Sequence, residues 1–146
     1  MDLAGFPATE QKALLDAGRA SCRELLASCR YRAELTEPVV NAIPTTDWEA
    51  AEALAGRLDD DPELSAGAPL RGLVTAHKDL ADTAGVRTTY GSPVYAEHNP
   101  EEDSPPVAHL RGTGLVSIGK TNTPELGKGS HPSNPVHGLT RKPWDH

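Results

Sequence analysis

The sequence predicts an α/β fold, and three observations carry that prediction. Two are compact apolar runs, Leu73 to His77 and Gly114 to Ile118, each with the length and composition of a strand. The third is the segment between them, where Ser104 precedes Pro105 at the first position of a helix that carries Val107, Leu110 and Arg111 and ends in Gly112 and Gly114. Strand, helix, strand is the order of a crossover joining two strands of one sheet, and such a connection favours parallel pairing.

Ahead of this section the chain reads as three helices. Thr9 is placed to cap a short one, Glu10 to Asp16, whose Ala13, Leu14 and Ala17 form a narrow stripe before Gly18 ends it. Ser21 and Glu24 make a capping box for a second, along which Cys22, Leu25, Leu26, Cys29 and Ala33 recur at helical spacing, and Pro38 is expected to stop it. Val39 to Ile43 then reads as extended. Thr46 and Glu49 form another capping box ahead of Trp48, Ala51, Leu54, Ala55 and Leu58, and this third helix is expected to end at the acidic turn Asp59 to Pro62. Each helix is apolar on one face only, so each needs something to cover, and the sheet is the candidate. Between residues 80 and 103 the signals are turns and loop, punctuated by Ala84, Gly85, Gly91, Ser92 and Pro93.

The chain changes character near Gly67: 10 of its 13 glycines and 9 of its 13 prolines lie from there onward. Charge divides at the same place, because residues 1–66 hold 6 Lys/Arg against 13 Asp/Glu whereas residues 67–146 hold 8 of each. The organisation expected is therefore a helical layer over 1–66 followed by an α/β section over 67–146. At 146 residues the length suits one domain, but with one Phe, two Trp and three Tyr the core must be built from Leu, Val and Ala. A net charge of −7 repels phosphate backbones, and no Lys/Arg cluster carries interleaved aromatics, so a nucleic-acid partner is not expected. Neither an uncharged apolar run of about 18 residues nor a basic start followed by an apolar stretch is present, so no membrane partner and no signal peptide are expected, and the location expected is cytoplasmic. Cys22 and Cys29 lie seven apart on one helix, about 10 Å along its axis, too far for a disulfide, and read as small buried residues.

Several patterns could carry chemistry. Gly114 to Thr121 satisfies the phosphate-loop pattern G-x-x-x-x-G-K-S/T, yet such a loop needs a strand before its first glycine and a helix after its Lys-Thr. Here the strand lies inside the pattern and Pro124 follows closely, so nucleotide binding is not expected. The six histidines, at 77, 98, 109, 131, 137 and 146, show no i, i+4 pair with an intervening Glu and no cysteine nearby, so no metal is expected either. Gly127 to Ser130 is a polar, glycine-paired loop that lets backbone approach a ligand. Lys78 stands at the carboxyl end of an apolar strand, the end at which open α/β sheets present their ligand crevice. To serve as a base it must be held neutral near pH 7, which requires about 4.6 kcal/mol against a free pKa near 10.4, and desolvation can supply that much.

The run from Pro69 to Asp79, then Ala84 and Gly85, Thr88 to Ser92, Gly119 to Glu125, Gly129 to His131, Asn134 to Val136, Gly138, and Thr140 with Arg141, resembles the amidase-signature family in order and spacing over residues 69–145. Arg23 to Leu25 and Val40 to Ala42 are similar to that family's start. The resemblance implies the first part of the amidase-signature fold, a mixed sheet wrapped by helices. It also implies acyl transfer by a Ser, cis-Ser, Lys arrangement acting on carbon–nitrogen bonds of small-molecule amides without a cofactor. Lys78 matches the family lysine, which relays a proton through a serine of a Gly-Gly-Ser-Ser-Gly-Gly loop to a nucleophilic serine further on. Gly127, Gly129 and Ser130 fall where these enzymes line the acyl pocket.

Two departures from the family stand out. His77 replaces a small aliphatic residue before the lysine, and strand alternation points it to the opposite face. The segment Thr140 to His146 leads, in the family, into the glycine–serine loop, and neither catalytic serine is present in these 146 residues. The chain alone is therefore expected to be inactive and, with sheet edges and helix faces uncovered, marginally stable or prone to aggregate. Two alternatives stay open: a non-catalytic module that pairs with another chain through an open sheet edge, and part of a protein similar to the A subunit of an amidotransferase. A homodimer also stays open.

Overall fold

The computed structural model describes residues 1–144. Helices α1 (Ala8–Asp16), α2 (Cys22–Val40), α3 (Trp48–Asp60) and the short α4 (Pro62–Ala66) lead into β2 (Val74–Lys78), α5 (Pro105–Gly112) and β3 (Val116–Thr121), with the two-residue strand β1 (Thr45–Thr46) between α2 and α3. A small hairpin of β4 (Ser133–Asn134) and β5 (Gly138–Leu139) follows. In the three-stranded sheet the order is β1-β3-β2. β1 runs antiparallel to β3. Backbone bonds from Leu70 N–H to Thr113 O, Gly72 N–H to Gly114 O and Val116 N–H to Leu73 O advance in the same sense along both segments, so β2 pairs with β3 in parallel and the sheet is mixed. The crossover through α5 is thus the one the sequence predicts.

Two compact units divide the chain, and both β2 and β3 run from one into the other. The first comprises residues 1–34, 47–75 and 109–118. Its core is apolar: Leu14, Leu15, Cys22, Leu25, Leu26, Ala51, Ala55, Leu58, Val116 and Ile118 are buried. Burial pushes the Cys22 thiol up to about 12, so this cysteine stays protonated and packs as an apolar residue. The N-terminus of α2 is satisfied twice over. Ser21 and Glu24 form the expected capping box, and the Asp59 carboxylate from α3 accepts the N–H groups of Cys22 and Arg23 at 2.8 and 3.1 Å.

The second unit comprises residues 35–46, 76–108 and 119–146, of which those up to 144 are described. Its interior is polar. Asp79, Thr83, Thr88, Thr89, Ser92, Lys120, Asn122, Thr123 and Asn134 are buried there, with Val86 and Val107 among the few apolar residues beside them. Hydrogen bonds, rather than apolar area, must therefore hold its loops in place.

Several boundaries differ from expectation. α1 begins at Ala8, with Pro7 and not Thr9 at its N-cap. α2 runs through Pro38 to Val40 instead of stopping before it, so Val39 and Val40 are helical. Proline already has a helical φ and removes one backbone bond, a loss offset here by local partners. Asn41 takes the left-handed conformation at φ 54° and donates its N–H to Glu37 O at 2.9 Å, while the Glu37 carboxylate accepts Ile43 N–H at 2.7 Å. Asp47, not Thr46, caps α3 by accepting Ala50 N–H. Asp61 accepts the N–H groups of Glu63 and Leu64, both at 3.0 Å, so the segment read as an acidic turn opens α4.

Gly119 fixes the β1–β3 pairing. At φ +140° it lies opposite Thr46, and a Cβ there would come 2.0 Å from Thr45 O and 2.8 Å from Thr46 Cα. Backbone cannot yield to that clash, so Gly119→Ala is expected to break the β1 edge and lower the urea midpoint by the equivalent of about 2 kcal/mol or more. An unchanged midpoint would show that β1 contributes nothing to stability.

Candidate functional site

Lys78 is the last residue of β2 and its side chain is exposed. His77 before it is buried, which puts the two on opposite faces as strand alternation requires. The described residues do not bury the Lys78 amine, so they do not provide the desolvation that a neutral lysine needs. Asp79 follows, fully buried. Its backbone N–H donates to Thr121 O at 3.0 Å, extending the β2–β3 pairing by one bond. Its carboxylate accepts the Thr89 N–H at 3.0 Å and the Thr89 hydroxyl. Thr89 Oγ1 in turn accepts Gly91 N–H at 3.0 Å and lies 3.2 Å from His137 Nε2, which is 3.5 Å from Asp79 Oδ2. Burial pushes the His137 pKa down; Asp79 opposes this and Arg87 adds to it, leaving the net shift downward.

The glycine-paired loop follows β3. Gly127, at φ +72°, lies against Leu80, two residues after Lys78, and a Cβ at this position would meet Leu80 Cδ1 at 2.8 Å. Glycine is what allows the loop to settle there. Gly129, at φ +142°, lies over Pro124, and Ser130 is exposed with its Oγ 2.8 Å from His131 Nδ1. Gly127 is therefore brought to the Lys78 end of β2, while Ser130 turns its hydroxyl to its own neighbour. Ser92 Oγ donates to Glu125 Oε1 at 2.8 Å and Leu126 N–H donates to Tyr90 O at 2.7 Å, tying this loop to the 88–92 turn.

Two buried asparagines complete the frame. Asn134 Nδ2 donates to Asn122 Oδ1 and Thr123 O, both at 2.7 Å, and Asn134 Oδ1 accepts the N–H groups of Val136 and His137. Asn122 Nδ2 donates to Gly138 O at 3.1 Å and to Thr140 Oγ1 at 3.0 Å. None of Asp79, Thr89, Asn134 or His137 was assigned a task by the sequence, where they stand only as parts of the family resemblance. The density of small polar residues in Thr88 to Ser92 and Thr121 to Thr123 was the available signal.

Lys120, the lysine of the phosphate-loop pattern, is fully buried. Its Nζ donates to Ala81 O, to Thr83 Oγ1 at 2.9 Å and to Thr88 Oγ1 at 3.0 Å, so it points away from any phosphate at the surface. The residues after Thr121 continue without an α-helix. Among the described residues no three His, Cys, Asp or Glu side chains gather as metal ligands, and no helix is long and apolar enough to cross a membrane. His146 lies outside the described residues.

The family model described as Amidase matches residues 24–146. The chain is 37% identical to the glutamyl-tRNA(Gln) amidotransferase A subunit of Azoarcus sp. (strain BH72), over 94% of its own length and 28% of that protein's. It is likewise 37% identical to the corresponding protein of Salinispora tropica, over 99% of its length and 30% of the relative's. Among solved structures, one from a vestigial protein complex bearing on the origins of an s-triazine catabolic enzyme superposes at a TM-score of 0.89 with 29% identity, covering 96% of this chain and 31% of that one. A fatty acid amide hydrolase gives a TM-score of 0.90 at 21% identity over 98% of this chain and 26% of its own, a likeness of fold. The chain thus spans about three-tenths of the length of the relatives it matches.

Proposed function

Because the chain belongs to the amidase family, we propose that it supplies the proton-transferring lysine, Lys78, of an enzyme that cleaves carbon–nitrogen bonds of small-molecule amides through an acyl-enzyme. The observation that carries this reading is the position of Lys78 at the carboxyl end of β2, with the Gly127 turn packed on Leu80 beside it. Gly127, Gly129 and Ser130 line the acyl side of that site. Two serines complete the machinery: one, in the glycine–serine loop, exchanges a proton with Lys78, and the other attacks the amide carbonyl. As the leaving amine departs, the same relay returns the proton to it. The amine of Lys78 becomes neutral only when the rest of the amidase architecture covers it, since residues 1–144 leave it exposed.

A second reading is supported by the sequence relatives, which are A subunits of glutamyl-tRNA(Gln) amidotransferases. In that case the amide is split to hand ammonia to a partner protein. Ammonia release from primary amides, read by a coupled assay, tests the shared chemistry. The 146-residue chain alone is expected to give no turnover, and the protein joined to a segment carrying both serines is expected to release ammonia and form an acyl adduct visible by mass spectrometry. Turnover by the 146 residues alone would sink the requirement for the serines, and an amine transferred only when a partner is present would favour the second reading.

A further inference from the structure

Resting on the reading of Lys78 as the family lysine, we propose that His137, with Asp79, is a positioning residue for it: the Asp79, Thr89, His137 triangle fastens the 88–91 turn and the β4–β5 turn to the end of β2, and protonation of His137 loosens that fastening.

Each corner of the triangle belongs to a different segment. Asp79 is the residue next to Lys78 and is fully buried, so whatever holds its carboxylate also holds the strand end from which Lys78 projects. Thr89 belongs to the turn after that strand, and its hydroxyl is fully used: it donates to Asp79, accepts Gly91 N–H, and is left to accept from His137 Nε2. That assignment puts the neutral ring's proton on Nε2. His137 sits in the β4–β5 turn, where its backbone N–H donates to Asn134 Oδ1 at 2.7 Å. Asn134 is itself buried and pressed on Gly91, where a Cβ would come 3.1 Å from its side chain. A shift of the histidine ring therefore reaches Lys78 through one hydroxyl and one carboxylate.

The charged groups facing the ring are Asp79, from the end of β2, and Arg87, from the segment before the 88–91 turn. Protonation adds a second N–H and a positive charge to a largely buried ring near a guanidinium, and only Asp79 compensates. With the folded pKa below the ordinary value near 6.5, the unfolded chain binds the proton more readily. The contribution of this fastening to stability is thus complete above about pH 6.5 and is lost as pH falls from there through the lower folded value.

The test uses the 15N-labelled protein, with the His137 ring and the backbone amides of Lys78 and Thr89 followed by NMR between about pH 8 and pH 5. The amides of Lys78 and Thr89 are expected to shift with the same midpoint as the ring, and that midpoint is expected below the ordinary histidine value. His137→Gln keeps an N–H for Thr89 but cannot take up a proton, so it should abolish the shared inflection while leaving the spectrum otherwise in place. A Lys78 amide that ignores the ring's titration, or an inflection that survives in His137→Gln, overturns the proposal. The wild-type titration decides by itself should the variant fail to fold. Retained turnover in a Lys78→Ala enzyme would remove the catalytic reading of the lysine and leave this coupling standing, so the two failures are distinguishable.

Discussion

Lys78→Ala is expected to abolish amide turnover in a protein that carries the complete amidase machinery, a fall of at least about 10²–10⁴-fold in kcat, with the urea midpoint moving by no more than about 0.5 kcal/mol equivalent. The two halves of that expectation come from one fact. Lys78 is exposed at the end of β2, so truncating it leaves no cavity and no orphaned buried partner, and the fold has little reason to notice. The chemistry does notice, because a serine hydroxyl is a poor nucleophile until a base takes its proton. Lys78→Arg should fail as well, since a guanidinium keeps its proton at any working pH. Both are read as kcat on a primary amide beside a urea titration of the same preparation. Turnover retained in Lys78→Ala would end the proposed role of the lysine.

Much of this was legible in the residues, and the exceptions share a cause. The crossover from β2 through α5 to β3 could be read because apolar runs and Pro105 are local signals, and the capping box at Ser21 and Glu24 lies where its letters say. Lys78 could be placed at a strand end for the same reason. What escaped was decided by contacts between distant segments. Asp59 caps α2 from 37 residues away, so the helix start is stronger than its own sequence suggests. The Glu37 carboxylate and the left-handed Asn41 let α2 run through Pro38, which a propensity reading treats as a stop. Above all, a search for apolar periodicity cannot see an interior built from Asp79, Thr83, Thr88, Thr89, Asn122 and Asn134. Their burial follows from hydrogen bonds satisfied between loops, and those partners have no fixed spacing along the chain.

Lys120 makes the opposite case to Lys78 and carries the second large prediction. Its Nζ is buried among Ala81 O, Thr83 Oγ1 and Thr88 Oγ1. The two hydroxyls already spend their protons elsewhere, on Ala81 O at 3.0 Å and Val86 O at 3.0 Å, so they face the lysine as acceptors. Lys120→Met fills nearly the same volume but leaves those oxygens without a donor, each at a cost of about 1–3 kcal/mol less whatever is recovered by no longer burying the amine. A net loss of about 2–4 kcal/mol is expected, a large share of the roughly 5–15 kcal/mol that holds a domain together. Lys120→Arg should not rescue it, because a planar fork cannot occupy a site shaped for one nitrogen with three acceptors around it. The urea midpoint should fall sharply in both variants. Turnover per folded molecule should hold, since the Lys120 amine is taken up by Ala81, Thr83 and Thr88 in the interior while the Lys78 side chain is exposed. A Lys120→Met protein of wild-type stability would mean that the 81–88 loop is held by something other than this lysine. Equal stability with lost turnover would instead place the lysine of the phosphate-loop pattern in the chemistry, where its burial argues it does not belong.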